Sequence, residues 1–238
     1  MKMTNSELRK QARIALEGNW GKGVSATFIY FLIAGGISSS FGLFSHVEAA
    51  TVSGSVLWAL LCLPLSWGFV VFFLSIFRDK NFSVWTIFDG YKQFGRIFLT
   101  MLLINVYTIL WTLLLIVPGI IKSLSYSMTQ FILLDNPEIG ADDAIHRSRV
   151  LMDGSKMKLF ILYLSFIGWG FLCILTFGVG FLILYPYIET SLAAFYQDLI
   201  NSEKNRWSNP SPNLMQKFNR NLRLNNNTEV LFENIVVR

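Results

Sequence analysis

Charged side chains are scarce in this sequence. Lys, Arg, Asp and Glu make up 15% of the 238 residues, against about 25% in an average soluble domain. Hydrophobic residues make up 53%, and Phe alone occurs 21 times. A soluble fold of this length has too little interior to bury so much apolar surface, whereas a lipid bilayer can accommodate it. The composition therefore predicts an all-α protein embedded in a membrane and excludes an ordinary soluble domain.

Cysteine and histidine are also scarce, with two of each. Cys62 and Cys173 both lie inside apolar runs, so we predict small core residues rather than a disulfide framework or a zinc site. His46 and His146 are predicted on opposite membrane faces, where they cannot share a metal ion. The sequence contains no HExxH, GxSxG or P-loop pattern. We therefore expect no metal, no cofactor and no enzymatic activity.

Long apolar runs are the main feature that is present. A helix needs about 20 apolar residues to cross the hydrocarbon core. Pro118-Gly119 divides one overlong run, and the glycines at 178–180 divide another, because Pro and Gly interrupt helices. The sequence then predicts six membrane-crossing helices, paired as three hairpins, at 24–44, 56–77, 97–117, 119–134, 159–177 and 181–200.

The distribution of Lys and Arg predicts the orientation of these helices. Nineteen of the twenty basic residues lie in the N-terminal segment, in 78–96, in 147–158 or in the C-terminal tail, and Lys122 is the exception. The predicted loops on the opposite side contain none. The positive-inside rule therefore predicts cytoplasmic N- and C-termini. The net charge of +5 belongs to this membrane face, so no nucleic-acid partner is expected.

The segments outside the 24–200 transmembrane domain are predicted to lie in the cytoplasm, as are its basic loops. Residues 1–23, 78–96 and 135–158 each contain a short amphipathic segment with apolar residues at helical spacing. The tail 201–238 is rich in Asn and is predicted to be disordered. The predicted apolar faces are Leu8, Ala12, Ala15 and Leu16 in the first segment, Trp85 and Phe88 in the second, and Ala144, Ile145, Ser148, Leu151 and Met152 in the third.

The order of these features favours an internal threefold repeat. Each unit has an amphipathic segment, an acidic residue followed by Gly, a basic residue and two spans with a proline in the second. Units of two spans keep the same orientation, so the repeats would be parallel. Any protein built of membrane hairpins has basic loops and turn prolines, so the repeat is a hypothesis. The acid–Gly pairs are Glu17-Gly18, Asp89-Gly90 and Asp153-Gly154, and the prolines are Pro64, Pro118 and Pro186.

Several motifs, taken in order, resemble a known family. They are Asn5-Ser-Glu-Leu-Arg-Lys-Gln-Ala-Arg13, Trp20-Gly-Lys22, Pro118-Gly-Ile-Ile-Lys122, Asp135-Asn-Pro137 and Tyr187-Ile-Glu-Thr-Ser191. Over residues 5–200 the chain resembles a bacterial family of uncharacterised integral membrane proteins, known as domain of unknown function 975. The resemblance implies a multi-pass protein of a bacterial inner membrane, with no assigned activity.

Two charged residues, Lys122 and Glu189, lie inside predicted spans. A charge at the centre of a membrane helix costs about 2.5–3.5 kcal/mol on insertion scales, so such residues usually face the bundle interior. They follow the prolines of their spans at similar offsets, so we predict that they approach one another in a polar cluster with Tyr126, Gln130 and Thr190. Alternatively, Lys122 extends to the outer surface, and Glu189 is protonated or hydrogen-bonded within the packed helices.

Three functions are compatible with these features. The first is a membrane protein that carries or gates a small solute, lipid or peptide, which the intramembrane charges favour. The second is a membrane scaffold or accessory protein that docks partners on its cytoplasmic face through amphipathic helices. The third, a membrane-embedded enzyme, lacks recognisable catalytic residues. The lipid bilayer is the one partner that all three share, and the sequence does not indicate an oligomeric state.

Overall fold

The structure is a computed structural model that describes residues 3–44, 57–78 and 83–208, and within these ranges it contains helices and no strands. The described residues divide between two units, one within Met3–Gln197 and a smaller one that begins at Asp198. In the smaller unit residues 198–208 are helical. Predictions for His46, for the loop 45–55 and for the tail beyond 208 lie outside the described residues. The helices are α1 (Asn5–Leu16), α2 (Trp20–Phe44), α3 (Leu63–Phe77), a 3-10 helix (Val84–Tyr91), α4 (Phe94–Leu114), α5 (Ile116–Tyr126), α6 (Thr129–Asp135), α7 (Ala141–Leu151), α8 (Lys156–Leu175) and α9 (Phe181–Ser208).

Three helices in the described part of the chain are long and apolar enough to cross a membrane. They are Leu57–Phe77, which contains α3, Phe94–Leu114, which is α4, and Lys156–Leu175, which is α8. The first is more than half buried within the protein, whereas most of the other two is exposed. Their exposed side chains are large and apolar, including Leu113, which is 83% exposed. An apolar surface of this extent is unusual for a soluble monomer and is compatible with a membrane location.

The predicted fourth span, 119–134, is not one continuous helix. Residues 116–135 form two short helices, α5 and α6, which are separated by a turn at Ser127 and Met128. Side-chain hydroxyls offer an alternative to regular helical bonding here: Ser125 donates to the carbonyl of Ile121, and Ser127 donates to that of Leu124. The prediction of an unbroken helix is therefore wrong, because short polar side chains compete with the backbone at this point.

The break between α4 and α5 lies at Leu115, which is extended with φ −159° and ψ 134°. Pro118 therefore sits inside the first turn of α5, where its missing N–H has no helical partner to lose. A Cβ added at Gly119 would collide with Thr112 of α4, so glycine permits the close approach of the two helices there. The break between α8 and α9 lies close to its predicted position. Phe177 and Gly178 both have positive φ values there.

The amphipathic segments bury most of the residues that their spacing predicts, but three of these residues, Ala15, Phe88 and Leu151, are only half-buried. Helix α1 buries Leu8, Ala12 and Leu16, and α7 buries Ala144, Ile145 and Ser148. The second segment is a 3-10 helix rather than an α-helix. In a 3-10 helix the side chains three residues apart align, and here Ile87 is buried whereas Trp85 is 72% exposed.

Glycines end two of these segments, as the repeat predicts. Gly18 has φ 77° after α1, and Gly154 has φ 68° after α7. This left-handed conformation is the usual glycine cap of a helix. Gly90 has a different role: a Cβ there would overlap the carbonyl group of Pro64 in α3. A Cβ at Gly68 would overlap Ile87 in the same way, so the 3-10 helix and α3 are in contact along their backbones.

Aromatic and aliphatic side chains of α2 and α3 form the main hydrophobic core together with the 3-10 helix. Gly23 of α2 lies against Pro186 of α9, since an added Cβ would be 3.3 Å from the Pro186 Cβ. The core therefore brings the first, second and last long helices together. Its buried members are Leu16, Ala26, Leu65, Phe69, Phe72, Phe73, Ile76 and Ile87.

Candidate functional site

Glu189 lies in α9, three residues after the proline within that helix. Pro186 cannot donate a backbone hydrogen bond, and its own carbonyl accepts one from the buried Thr190 hydroxyl at 2.8 Å. A second hydroxyl, Ser191, donates to the carbonyl of Tyr187 at 2.7 Å. The predicted site residue Thr190 is thus satisfied by its own helix. Glu189 as a whole residue is half-buried.

Three tyrosines from three helices lie close enough to Glu189 to interact with it electrostatically. They are Tyr30 of α2, Tyr163 of α8 and Tyr185 of α9. Tyr163 is 37% exposed, and the other two are half-buried. We call these four side chains the tyrosine–carboxylate site.

Neighbouring rings hold two of these tyrosines in place. Tyr30 stacks on Phe69 with ring centroids 4.5 Å apart, and Phe31 meets Tyr185 edge to face at 5.2 Å. Phe69 also contacts Tyr185, at 5.8 Å. Such aromatic pairs contribute about 0.5–1.5 kcal/mol each beyond their buried area. These contacts thus fix the positions of the Tyr30 and Tyr185 rings.

The chemistry of the tyrosine–carboxylate site suits a cation. A carboxylate supplies a negative charge, and the faces of tyrosine rings attract cations through their quadrupoles. Within the described residues, Glu189 forms no ion pair. The group therefore combines a carboxylate that forms no ion pair in this described part of the chain with tyrosine rings, two kinds of group that attract organic ammonium ions.

The predicted partner of Glu189 lies elsewhere. The ammonium of Lys122 is 4.6 Å from the centroid of the Trp111 ring, in α4. No ion pair between Lys122 and Glu189 is formed in the part of the chain that the structure describes. The predicted pairing is therefore not observed. A lysine near the end of a short helix can reach an aromatic face on the adjacent helix, which lowers the cost of its charge.

The other two predicted site residues have separate surroundings. Tyr126 is buried, with its ring 6.4 Å from that of Tyr107. The backbone carbonyl of Gln130 accepts a hydrogen bond from the Trp67 indole at 3.0 Å, while the Gln130 side-chain oxygen is buried without a partner. The hydrogen bonds and ring contacts described above therefore join Lys122, Tyr126 and Gln130 to α3 and α4 rather than to Glu189.

A second polar group joins α3, α6 and α9. Arg78, which follows α3, donates two hydrogen bonds to Asp135, the last residue of α6, at 2.6 and 2.8 Å. Its Nε donates to the side-chain oxygen of Gln197 at 3.1 Å, and the Tyr196 hydroxyl donates to Asp135 at 2.8 Å. Hydrogen bonding to Asp135 raises the pKa of the Arg78 guanidinium above its usual value. We call these four residues the arginine network.

Arg96 makes a related contact at the start of α4. Its guanidinium donates to the carbonyls of Leu133 and Asn136 at 3.1 Å each, and to that of Ile139 at 3.4 Å. These carbonyls lie at and just beyond the end of α6, where helical partners are missing. Arg96 thus caps α6 and joins its end to the start of α4.

Sequence reasoning missed both groups of partners. Tyr30, Tyr163 and Tyr185 are hydroxyl-bearing aromatics within apolar runs, a signal that could have been weighed beside Glu189. Arg78 follows directly after a predicted span, but its partner lies 57 residues further along the chain. No group of three or more potential metal ligands occurs among the residues that the structure describes.

Comparison with known proteins identifies a family and no activity. The family described as "Protein of unknown function (DUF975)" matches residues 1–122 and residues 112–203. No curated protein and no solved structure matches the chain significantly.

Proposed function

Because the chain belongs to the family of proteins of unknown function DUF975, for which no activity is described, we propose a function from its own geometry. The protein is a multi-pass membrane carrier of a small organic cation, which binds at the tyrosine–carboxylate site. The observation that carries this proposal is Glu189, an acidic residue in the predicted span 181–200 that lies near three tyrosines. An ionisable residue within a membrane helix is a candidate functional residue.

The contacts between helices support the threefold arrangement of the predicted hairpins. The 3-10 helix packs on α2 and α3, and α7 packs on α4 and α6. Helix α1 packs on α8 of the third pair and also on α3 of the first pair. In the arginine network, the end of α3 and the end of α6 meet residues 196 and 197 of α9. Three parallel units around one axis would produce this pattern.

Binding of an organic cation by the purified full-length chain in lipid nanodiscs tests the function. We expect saturable binding of choline and much weaker binding of 3,3-dimethyl-1-butanol, its neutral isostere, because the site attracts charge. Glu189→Gln should weaken choline binding at least about tenfold, since it removes the charge at nearly constant volume. Glu138→Gln is the matched control, because Glu138 is exposed in a loop.

Two tyrosine variants separate ring recognition from hydroxyl recognition. Tyr163→Phe keeps the ring face and should retain binding, whereas Tyr163→Leu should reduce it several-fold. Uptake of labelled choline into proteoliposomes then tests transport. Absence of saturable binding in the wild-type protein would overturn the carrier proposal and favour the alternative, a scaffold that docks partners on the cytoplasmic face.

A further inference from the structure

A cavity of about 590 Å³ lies between α1 and the pair α8 and α9, apart from the tyrosine–carboxylate site. Its volume is within the range of about 300–1,000 Å³ that small-molecule sites usually have. Helix α1 contributes a polar wall, and the two long helices contribute an apolar wall. The apolar wall includes Trp169, Leu172, Ile183 and Leu184.

The polar wall of this cavity is cationic. Arg9, Lys10 and Arg13 line it, all on one helix. No ion pair with a carboxylate is formed by any of the three among the described residues. The opposite face of α1 is buried through Leu8, Ala12 and Leu16, so the three cations are held at the cavity by the packing of their own helix. The uncompensated charge favours an anionic occupant.

A second cavity, which is almost entirely apolar, adjoins the first. This second cavity, also about 590 Å³, shares Trp20 and Ile183 with the first. It is otherwise lined by α2 residues, including Val24 and Phe28. A chain of methylene groups that leaves the cationic wall can therefore extend past Trp20 along α2. We call these two adjoining cavities the α1 groove.

A molecule that satisfies both parts of the α1 groove must be an anionic amphiphile. A free phosphate would meet the cations but leave most of the lining uncovered. A neutral lipid would cover the apolar wall but leave three cations unpaired. Basic pockets beside membrane helices attract anionic lipid headgroups.

We propose that the α1 groove binds one anionic phospholipid, with its phosphate at Arg9, Lys10 and Arg13 and an acyl chain against Trp20 and Ile183. This site is separate from the tyrosine–carboxylate site and does not depend on the carrier function. The lipid would hold α1 against the α8 and α9 pair by contacts with both.

Native mass spectrometry of the full-length protein in neutral detergent tests the proposal. Phosphatidylglycerol and phosphatidylcholine with identical chains are added in equal amounts. The expected result is one retained phosphatidylglycerol per chain, with at least about tenfold preference over phosphatidylcholine. Arg9→Gln with Arg13→Gln should reduce this preference at least about tenfold. Arg149→Gln with Lys156→Gln, which removes two cations outside the groove, should leave it unchanged.

A second variant addresses the apolar wall. Leu172 is 55% exposed, so Leu172→Trp narrows the groove without disturbing buried packing. It should reduce retention of phosphatidylglycerol even if the arginine variant fails to fold. Equal retention by the wild-type protein and by either folded variant would overturn the proposal. Equal retention of glycerol 3-phosphate and of phosphatidylglycerol would also overturn the proposal, because the cations would then bind a free phosphate group.

Discussion

Arg78 and Asp135 form a two-pronged ion pair between the end of α3 and the end of α6, with N–O distances of 2.6 and 2.8 Å. Their side chains are 19% and 26% exposed, so the pair is neither fully buried nor freely solvated. Tyr196 adds a third hydrogen bond from α9. Planar, doubly bonded geometry and a shared partner are the conditions under which an ion pair near the surface becomes energetically important.

The first prediction concerns this pair. A double-mutant cycle with Arg78→Met and Asp135→Asn should give a coupling of about 0.5–3 kcal/mol in the free energy of unfolding. Thermal or denaturant unfolding in detergent measures it. Lys92 and Asp89 provide the control, because their exposed pair within one turn should couple by less than about 1 kcal/mol. Equal coupling in the two pairs would contradict a special role for the arginine network.

The second prediction concerns Lys122. Because its ammonium faces the Trp111 ring, Lys122→Met and Trp111→Leu should be coupled by about 0.5–1 kcal/mol. Lys122→Met and Glu189→Gln should instead be additive to within about 0.3–0.5 kcal/mol, because no ion pair joins the two residues in the described part of the chain. The same unfolding measurement reports both cycles. A clear coupling between Lys122 and Glu189 would restore the pairing that the sequence predicts.

The third prediction concerns the buried face of α7 and the residue after it. Met152→Asp should destabilise the protein by about 2–5 kcal/mol, as the loss of a large core side chain does, because Met152 is fully buried. Leu151 is half-buried, so Leu151→Asp should cost less. Arg149→Asp, on the exposed face, should change stability by no more than about 0.5 kcal/mol. Yield and melting temperature in detergent would establish the order, and equal values for Met152→Asp and Arg149→Asp would refute it.

The fourth prediction concerns topology. In a Cys62→Ala, Cys173→Ala background, we expect Val179→Cys to react with a membrane-impermeant maleimide in intact cells. Gly140→Cys should react only after the cells are permeabilised, because the basic loop 135–158 is predicted to be cytoplasmic. Glu203→Cys serves as a second cytoplasmic position. Labelling of Gly140→Cys from outside intact cells would exclude the three-hairpin arrangement.

The helices were largely predictable from local patterns, because apolar runs, Pro118 and the glycines at 178–180 act within a few residues. The faces of α1 and α7 followed from spacing for the same reason. The break at Ser127 was missed because serine also occurs in uninterrupted helices, and its effect depends on where its hydroxyl bonds.

The polar sites were less predictable, because each depends on helices far apart in the chain. Glu189 was identified from its charge in an apolar context. Its tyrosine neighbours come from positions 30, 163 and 185, and no local pattern connects those positions. Lys122 contacts the Trp111 ring on the adjacent helix. Charge complementarity alone had suggested Glu189 as its partner.

The backbone contact between the 3-10 helix and α3 limits which substitutions the protein can accept. At Gly68 and at Gly90 even a methyl group would overlap a carbonyl group of the facing segment. We therefore expect selection to remove every substitution of these two glycines. At Gly95 and Gly168 an added methyl group meets open space, and such substitutions can accumulate. Among strains that diverge freely elsewhere, the first two glycines would persist while the other two are replaced.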